Sequence, residues 1–261
     1  MSNVELKVDE AGRANVTLAR PERHNAFDEA VIAELTAAFA QLAVDARVRV
    51  IVLAAQGVSF SAGADLGWMQ RVTQYPDAEN RRDALGLAHL LRTIDSCPKP
   101  VVALVQGAAY GGGVGLLAAC DIAIAVDTAT FALSEVRLGL IPAVISPYVV
   151  AAIGLRACRR YFLTGERFPA AEALRLGLVH EVVPATELAH AAERVLAALA
   201  AGGPQAQVAA KQLLRGVAYK VPGEELDLWT AGRIADARAS PEGREGVAAF
   251  LGKRPPAWRG K

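Results

Sequence analysis

The stretch VVALVQGAAYGGGVGLLAACDIAIAV, residues 101–126, decides the fold class. It opens with an apolar run, passes through a turn rich in glycine, and closes with a second apolar run over residues 122–126. Short continuous apolar runs are typical of strands that are buried on both faces of a sheet. The residues between them predict a tight turn and a short helix near residues 114–119. The stretch therefore indicates an α/β unit.

The N-terminal part of the chain shows the same alternation of strands and helices. Residues 4–8 and 14–18 alternate between apolar and polar side chains on either side of a polar turn, which predicts a β-hairpin. Asp28 is placed to cap an amphipathic helix that ends near residue 43. Residues 48–54 form another short apolar run and predict a further buried strand.

The rest of the chain is mostly helical in pattern. A loop of small residues precedes a helix predicted over residues 78–94, and after Ser134 apolar spacing indicates several further helices around one strand at residues 178–182. No low-complexity linker divides the chain. We predict an α/β core over residues 1–200 and a helical C-terminal region over residues 201–261.

Composition and charge exclude several classes of protein. Of the 261 residues, 53% are hydrophobic and 21% are charged, which is typical of a globular chain. The net charge is +1, so no bulk field draws the protein to nucleic acid or to an anionic membrane. The uncharged stretches between Lys99 and Asp121 and between Arg137 and Arg156 are as long as membrane spans. Because glycines or prolines interrupt both, we interpret them as core segments with turns.

The cysteines point to a reducing compartment. Cys97, Cys120 and Cys158 are an odd number and lack the spacing of a zinc site. We therefore expect free thiols, no metal site and a cytoplasmic location. The first residues also lack the apolar run of a signal peptide.

Two loops of small residues are the candidate ligand sites. Residues 60–66 (FSAGADL) and residues 107–113 (GAAYGGG) each follow a predicted strand and precede a predicted helix. Backbone N–H groups at such turns are free to bind anions. Two of them aimed at one oxygen would form an oxyanion hole, which suits chemistry through a thioester enolate.

Other interpretations of these loops were weighed. Residues 113–118 match the G-x-G-x-x-A form of a dinucleotide fingerprint, but the next strand begins only a few residues later, at Ile122. Residues 57–61 miss the nucleophile motif G-x-S-x-G at Ser61. Each glycine taken singly is also compatible with tight packing alone.

Taken together, the motifs resemble a known family. The run FSAGADL and the run PKPVVALVQGAAYGGG, at residues 98–113, are similar to those of the crotonase (enoyl-CoA hydratase/isomerase) family. Matching segments continue in order through residues 131–142, residues 163–179 and residues 245–254. The resemblance covers essentially the whole chain. It implies an α/β fold of the ClpP/crotonase type, a spiral of ββα units with a helical C-terminal subdomain, and an acyl-CoA thioester as substrate with no other cofactor.

The resemblance also implies roles for individual residues. The backbone N–H groups of Ala64 and Gly112 would bind the thioester oxygen, and Glu135 would transfer a proton. Apolar neighbours of Glu135 in the sequence should desolvate its carboxyl group and favour the neutral form. The residues implied to lie around the bound substrate are Arg23, Ala26, Ala62, Asp65, Leu66, Gly111, Gly115, Pro142 and Lys253, the last supplied by a neighbouring subunit. Arg23 and Lys253 are equally compatible with solvated surface charges.

One position departs from the family pattern. The second catalytic glutamate of the hydratases falls at Gly115, and glycine transfers no proton. Residues 107–116 and 133–148 nevertheless resemble bacterial hydratases of branched glutaconyl-CoA esters. We therefore hypothesise that the space vacated at Gly115 admits the branch or the distal carboxylate of such a substrate.

Three functions remain open from the sequence. The leading one is a lyase that hydrates an α,β-unsaturated acyl-CoA. The second is a Δ3,Δ2-enoyl-CoA isomerase that uses Glu135 alone. The third is a non-catalytic relative that binds acyl-CoA or RNA, and the near-neutral charge argues against RNA. The resemblance further implies a homotrimer or a dimer of trimers, without nucleic-acid or membrane partners.

Overall fold

A computed structural model describes residues 2–259. Within these residues the chain forms ten strands and ten α-helices. The strands are β1 Val4–Val8, β2 Arg13–Leu18, β3 Val50–Ala55, β4 Ser59–Ser61, β5 Val101–Val105, β6 Ala108–Tyr110, β7 Ile122–Val126, β8 Thr130–Ala132, β9 Arg167–Pro169 and β10 Glu181–Val183. The helices are α1 Glu29–Val44, α2 Leu66–Val72, α3 Asp77–Ser96, α4 Gly112–Ala118, α5 Ser146–Thr164, α6 Ala170–Leu176, α7 Leu188–Ala201, α8 Pro204–Val217, α9 Glu224–Ala239 and α10 Pro241–Leu251.

The larger sheet has six strands in the order β1-β2-β3-β5-β7-β10. β1 and β2 are the antiparallel hairpin predicted from the sequence, and the remaining neighbours pair in parallel. The continuous apolar runs fit this arrangement because parallel strands are covered on both faces. On one face Ile51 and Leu53 of β3 join the main hydrophobic core. On the other face Val50 and Val52 pack against Leu196 of α7.

The smaller sheet has four strands in the order β4-β6-β8-β9. β4, β6 and β8 are parallel, and β9 runs antiparallel to β8. The chain repeatedly places one strand in the larger sheet and the next in the smaller one, as in the pairs β3 and β4, β5 and β6, and β7 and β8. Helices or a 3₁₀ turn follow each pair. This alternation is the spiral of ββα units that the family resemblance implies, and the described chain ends beyond the helices α8 to α10.

The long helices α1 and α3 were predicted closely, and five other elements were missed. Asp28 caps α1 by accepting hydrogen bonds from the backbone nitrogens of Ala30 and Val31, at 3.1 Å each. Gly154, with φ 76° and ψ 157°, interrupts the helical backbone within α5. The sequence analysis did not identify β4, β6, β9, α2 or α10. The three strands among them have only three residues each, which is too short for a periodic pattern to show.

Two further expectations concern the cysteines and the uncharged stretches. Cys97, Cys120 and Cys158 are free. The stretch between Lys99 and Asp121 folds as β5, β6 and α4, which are core elements. Between residues 2 and 259 no helix is long and apolar enough to cross a membrane.

Candidate active site

The smaller sheet brings three predicted functional positions to one edge. Ala64 follows β4 by three residues, Gly112 follows β6 by two, and Glu135 follows β8 by three. Because β4, β6 and β8 are parallel neighbours, their carboxyl ends lie along the same edge of the sheet. The sheet order therefore places Gly112 between Ala64 and Glu135. This edge, formed by residues 62–65, 111–112 and 135, is called the strand-end site below.

The two small-residue turns touch each other. A Cβ atom built on Gly63 would lie 3.5 Å from the backbone nitrogen of Gly112 and 2.8 Å from the carbonyl oxygen of Tyr110. Gly63 also has a φ of +87°, which glycine adopts without strain. A side chain at this position would push the turns apart, so a glycine is needed for their close approach.

Both turns present a backbone N–H group without an acceptor. Within residues 2–259, the nitrogens of Ala64 and Gly112 donate to no protein oxygen, whereas those of Gly63 and Gly111, the residues just before them, are paired. The nitrogen of Gly63 donates to Ser61 Oγ at 3.1 Å, and the nitrogen of Gly111 donates to the Ala132 carbonyl at 2.8 Å. Two unpaired donors on adjoining turns are an arrangement that can bind one anionic oxygen.

Glu135 lies beside these donors, at the start of a 3₁₀ turn. Its Oε1 would be 3.0 Å from a Cβ atom built on Gly111, so the carboxyl group lies against the Gly111 backbone. Its Oε2 is buried and has no hydrogen-bond partner among the described residues. Burial raises the pKa of the Glu135 carboxyl, and a backbone hydrogen bond offsets this only in part. A carboxyl group whose neutral form is favoured by burial is suited to proton transfer.

Comparison with known proteins assigns the family. The family model for enoyl-CoA hydratase/isomerase matches residues 9–261. The chain belongs to the enoyl-CoA hydratase/isomerase family. A solved structure from Legionella pneumophila is 46% identical, with a TM-score of 0.94 and coverage of 99% of both chains. An enoyl-CoA hydratase structure from Shewanella pealeana is 43% identical, with a TM-score of 0.95, over 98% of this chain and 96% of its own. A Thermus thermophilus relative is 35% identical over 254 residues, which are 96% of this chain and 99% of its own.

In this crotonase-family chain the space beside Gly115 is filled. A Cβ atom built on Gly115 would lie 2.3 Å from Cγ2 and 2.8 Å from Cβ of Ile145. Ile145 is only 3% exposed and belongs to the main core. The hypothesis that Gly115 leaves room for a substrate branch or carboxylate is therefore wrong, because the Ile145 side chain occupies that volume. The same contact leaves no room for a second carboxyl group at position 115.

Asp65 has a structural environment that the sequence analysis did not foresee. Its carboxylate is 6% exposed and caps α2, accepting from the nitrogens of Gly67 at 2.8 Å and Trp68 at 3.1 Å. Arg23 donates to its Oδ2 at 3.0 Å. Although burial acts to raise its pKa, the hydrogen bonds from Trp68, Arg23 and Gly67 lower it below the usual range. The Asp65 carboxylate is thus engaged by groups of the fold, and its place along the CoA path stays a prediction.

The remaining predicted binding residues surround the strand-end site at different depths. Ala62, on the turn before α2, and Leu66, the first residue of α2, are exposed. Arg23 is also exposed, and its ion pair with Asp65 places it nearby. Ala26 and Pro142 are buried.

Lys253 is exposed and follows α10, whose main contacts are with α8 and α9. The role implied by the resemblance, in which a neighbouring subunit supplies this lysine to the CoA site, stays a prediction.

Two residues of the site were missed by the sequence analysis. The Phe27 ring would lie 2.3 Å, at Cζ, from a Cβ atom on Gly112, so its edge rests on the Gly112 backbone. Ile145 fills the space at Gly115, as described above. Phe27 and Ile145 are apolar and belong to no recognisable motif, so their contacts with Gly112 and Gly115 are visible only in the folded structure. No group of three or more metal-ligating side chains occurs in residues 2–259.

Proposed function

We propose that this chain is an enoyl-CoA hydratase, a lyase that adds water to an α,β-unsaturated acyl-CoA. Family membership supports an acyl-CoA substrate, and relatives such as the Shewanella pealeana protein carry the hydratase name. The observation that carries the proposal is the buried Glu135 carboxyl group next to two unpaired backbone donors.

The two donors would act on the thioester carbonyl. The N–H groups of Ala64 and Gly112 would both donate to its oxygen, which gains negative charge as the enolate forms. Fixed donors at a developing oxyanion typically lower the barrier so that the loss of one costs about a hundred- to a thousandfold in rate. The amides are already oriented by their turns, so little reorganisation accompanies the reaction.

Glu135 would carry out both proton transfers of the hydration. The water oxygen bonds to the β-carbon, the C=C π bond opens toward the thioester, and the α-carbon of the enolate receives a proton. Glu135 takes one proton from the water and delivers one to the α-carbon, so the carboxyl group is unchanged after a turnover. Its raised pKa brings the neutral and ionised forms closer in free energy near neutral pH, which both halves of this cycle require.

The substrate class follows from the resemblance alone. A branched glutaconyl-CoA ester is the substrate that residues 107–116 and 133–148 favour, although the pocket for its branch is not at Gly115. The exposed Arg23 guanidinium would meet phosphates of CoA, and Ala26, Ala62 and Leu66 would flank the pantetheine path.

Assembly into a homotrimer or a dimer of trimers forms part of the proposal. The C-terminal helices and their connections leave large apolar side chains exposed, among them Tyr219 at 89%, Phe250 at 83% and Leu251 at 75%. Apolar surface of this extent is typical of an interface between subunits. Lys253, two residues beyond Leu251, would reach a neighbouring subunit's CoA site in such an assembly. The cytoplasmic location stays a prediction.

A double-bond isomerase is the second candidate, and one observation favours it. Ile145 fills the volume at Gly115 where a second carboxyl group would stand, so Glu135 has no such partner. Moving a proton between two carbons needs one shuttling carboxyl group, which Glu135 supplies.

The test is the loss of absorbance of the conjugated thioester on mixing with purified protein. We expect rapid loss with 3-methylglutaconyl-CoA and slower loss with crotonyl-CoA, and we expect Glu135→Gln to lower turnover by roughly a hundredfold or more. A 3-enoyl-CoA whose absorbance rises as the double bond becomes conjugated tests the isomerase. No change with any of the three esters would contradict both activities and support an acyl-CoA-binding relative.

A further inference from the structure

An arginine outside the strand-end site pairs with a carboxylate at the border of that site. Arg20 precedes the first helix, and its side chain is 12% exposed. Its Nη1 donates to Asp28 Oδ2 at 3.0 Å and to the Ala26 carbonyl at 3.1 Å, and its Nη2 lies 3.6 Å from Asp65 Oδ2. One mostly buried guanidinium group therefore bridges two carboxylates that are 37 positions apart in the chain.

Both carboxylates are helix caps. Asp28 caps α1, and Asp65 caps α2. The residues just before these caps pair with each other as an isolated parallel β-bridge between Phe27 and Ala64. In this bridge the Phe27 nitrogen donates to the Gly63 carbonyl at 2.9 Å, and the Asp65 nitrogen donates to the Phe27 carbonyl at 3.0 Å. Arg20 thus holds together the two ends of the segments that form the bridge.

The bridge fixes the direction of the Ala64 amide. Because the flanking peptide groups of Gly63 and Asp65 are bonded to Phe27, the Ala64 N–H has to point away from Phe27 and into the strand-end site. The Phe27 ring at the same time rests on Gly112, the second unpaired donor. Phe27 therefore sets the spacing of the two donors, and Arg20 secures the backbone on which Phe27 stands.

We propose that Arg20 is a positioning residue, whose bridge between Asp28 and Asp65 aligns the Ala64 N–H with the Gly112 N–H toward a single oxygen. The inference rests on the proposed function, since it requires that these donors bind the thioester oxygen. Arg20 does not touch the substrate; it acts through the two cap carboxylates and the Phe27–Ala64 bridge.

The variants are Arg20→Gln, which removes the charge, and Arg20→Lys, which keeps the charge but lacks the fork of donors that spans two carboxylates. Arg13→Gln is the matched control, because Arg13 is also a partly exposed arginine in an ion pair, with Glu193, but contacts no residue of the bridge. If Arg20→Gln does not fold, Arg20→Lys carries the test.

Hydrogen exchange followed by mass spectrometry measures the bridge without reference to activity. We expect faster exchange of the Phe27 and Asp65 amides in both Arg20 variants, and unchanged exchange there in Arg13→Gln. Unchanged exchange in the Arg20 variants would overturn the proposal at its first step.

Steady-state kinetics and ligand binding measure whether the Arg20 variants misalign the two N–H donors. We expect kcat to fall by about ten- to a hundredfold, since a misplacement of about 1 Å in a catalytic group can cost a hundredfold, while KM stays within about threefold. Affinity for acetoacetyl-CoA, whose ionised form carries an enolate oxygen, should fall by a similar factor, and affinity for CoA itself should not. Faster exchange with unchanged kcat and unchanged acetoacetyl-CoA affinity would show a purely structural arginine.

The unaltered protein separates this proposal from the one on which it rests. If it neither turns over an enoyl-CoA nor binds acetoacetyl-CoA more tightly than CoA, the proposed function fails, and Arg20 has no oxyanion donor to position. If it does both, any failure belongs to the role of Arg20 alone.

Discussion

Replacement of Gly115 by alanine tests whether the Ile145 side chain occupies the space that a side chain at position 115 would need. Gly115 lies inside α4 and is buried. The added methyl group would come within 2.3 Å of Ile145 Cγ2, a distance that real Cβ atoms do not adopt, so one of the two side chains has to move. Leu91 Cδ1, at 3.7 Å, is in ordinary van der Waals contact with the same point and need not move.

The structure sets the expected magnitudes. Overpacking a core by one methyl group typically costs about 1–3 kcal/mol, whereas alanine in place of glycine inside a helix gains roughly 0.5–1 kcal/mol. Gly115→Ala should therefore destabilise the protein by about 1–2 kcal/mol. Ile145→Ala removes buried methyl groups and should cost about 2–5 kcal/mol. In the double variant the alanine at 115 enters the space that Ile145 leaves, so its destabilisation should be at least about 1 kcal/mol less than the sum of the two single effects.

Chemical denaturation of the four proteins at one protein concentration, followed by circular dichroism, completes the cycle. A parallel cycle that pairs Gly115→Ala with Leu91→Ala is the matched control, because that contact is not a clash and its two effects should add to within about 0.5 kcal/mol. Additive free energies of unfolding in the Ile145 cycle would refute the reasoning. They would show that Ile145 does not occupy the volume of a side chain at 115.

Three further predictions follow from particular side chains. Glu135→Gln should raise the melting temperature at pH 8, because burial raises the pKa of Glu135 and the fold loses stability as pH rises through that value. The difference in melting temperature between the variant and the unaltered protein should shrink toward zero below a pH of about 4. An equal difference at all pH values would contradict burial of the Glu135 charge. Gly111→Ala should lower kcat, since Gly111 has φ 49° and ψ −118° and the new Cβ would lie 3.0 Å from Glu135 Oε1; unchanged steady-state kinetics would argue against that contact. Asp28→Ala should cost at least about 1 kcal/mol in the free energy of unfolding, because it removes both the α1 cap and the partner of Arg20, whereas Asp28→Asn keeps a capping oxygen and should cost less. Equal stabilities of all three proteins in urea would contradict the cap.

The sequence predicts the larger sheet better than the smaller one, for a physical reason. Strands such as β3 and β5 are buried on both faces, so their apolar runs are visible in the sequence. β4 and β6 have three residues each and lie within loops of small residues, so no periodicity marks them. The resemblance to a family located the turns that these strands precede, but the pairing of β4 with β6 came from the structure.

The same contrast holds for the candidate site. Glu135 carries a chemical group, and a motif containing it is recognisable in a sequence. Gly115 is equally visible as a departure, but its consequence depends on Ile145, which is 30 positions away and contacts it only in the folded chain. The hypothesis of a vacated space failed because a missing side chain creates room only where no neighbour fills it. Cores are packed densely enough that a neighbour usually does.

The smaller sheet explains why the site depends on contacts outside it. Strands of three residues make few ladder hydrogen bonds, so they cannot by themselves hold three functional groups in register. Side chains supply the missing rigidity. The buried Asn25 donates to the Gln56 and Ser59 carbonyls at 2.7 and 2.8 Å, and Ser61 Oγ donates to the Asn25 carbonyl at 2.8 Å. The segment around residues 20–28 thus acts as an added edge to β4. Substitutions in this segment should therefore alter the geometry of the donors, and with it kcat, even though none of its side chains performs the proton transfer.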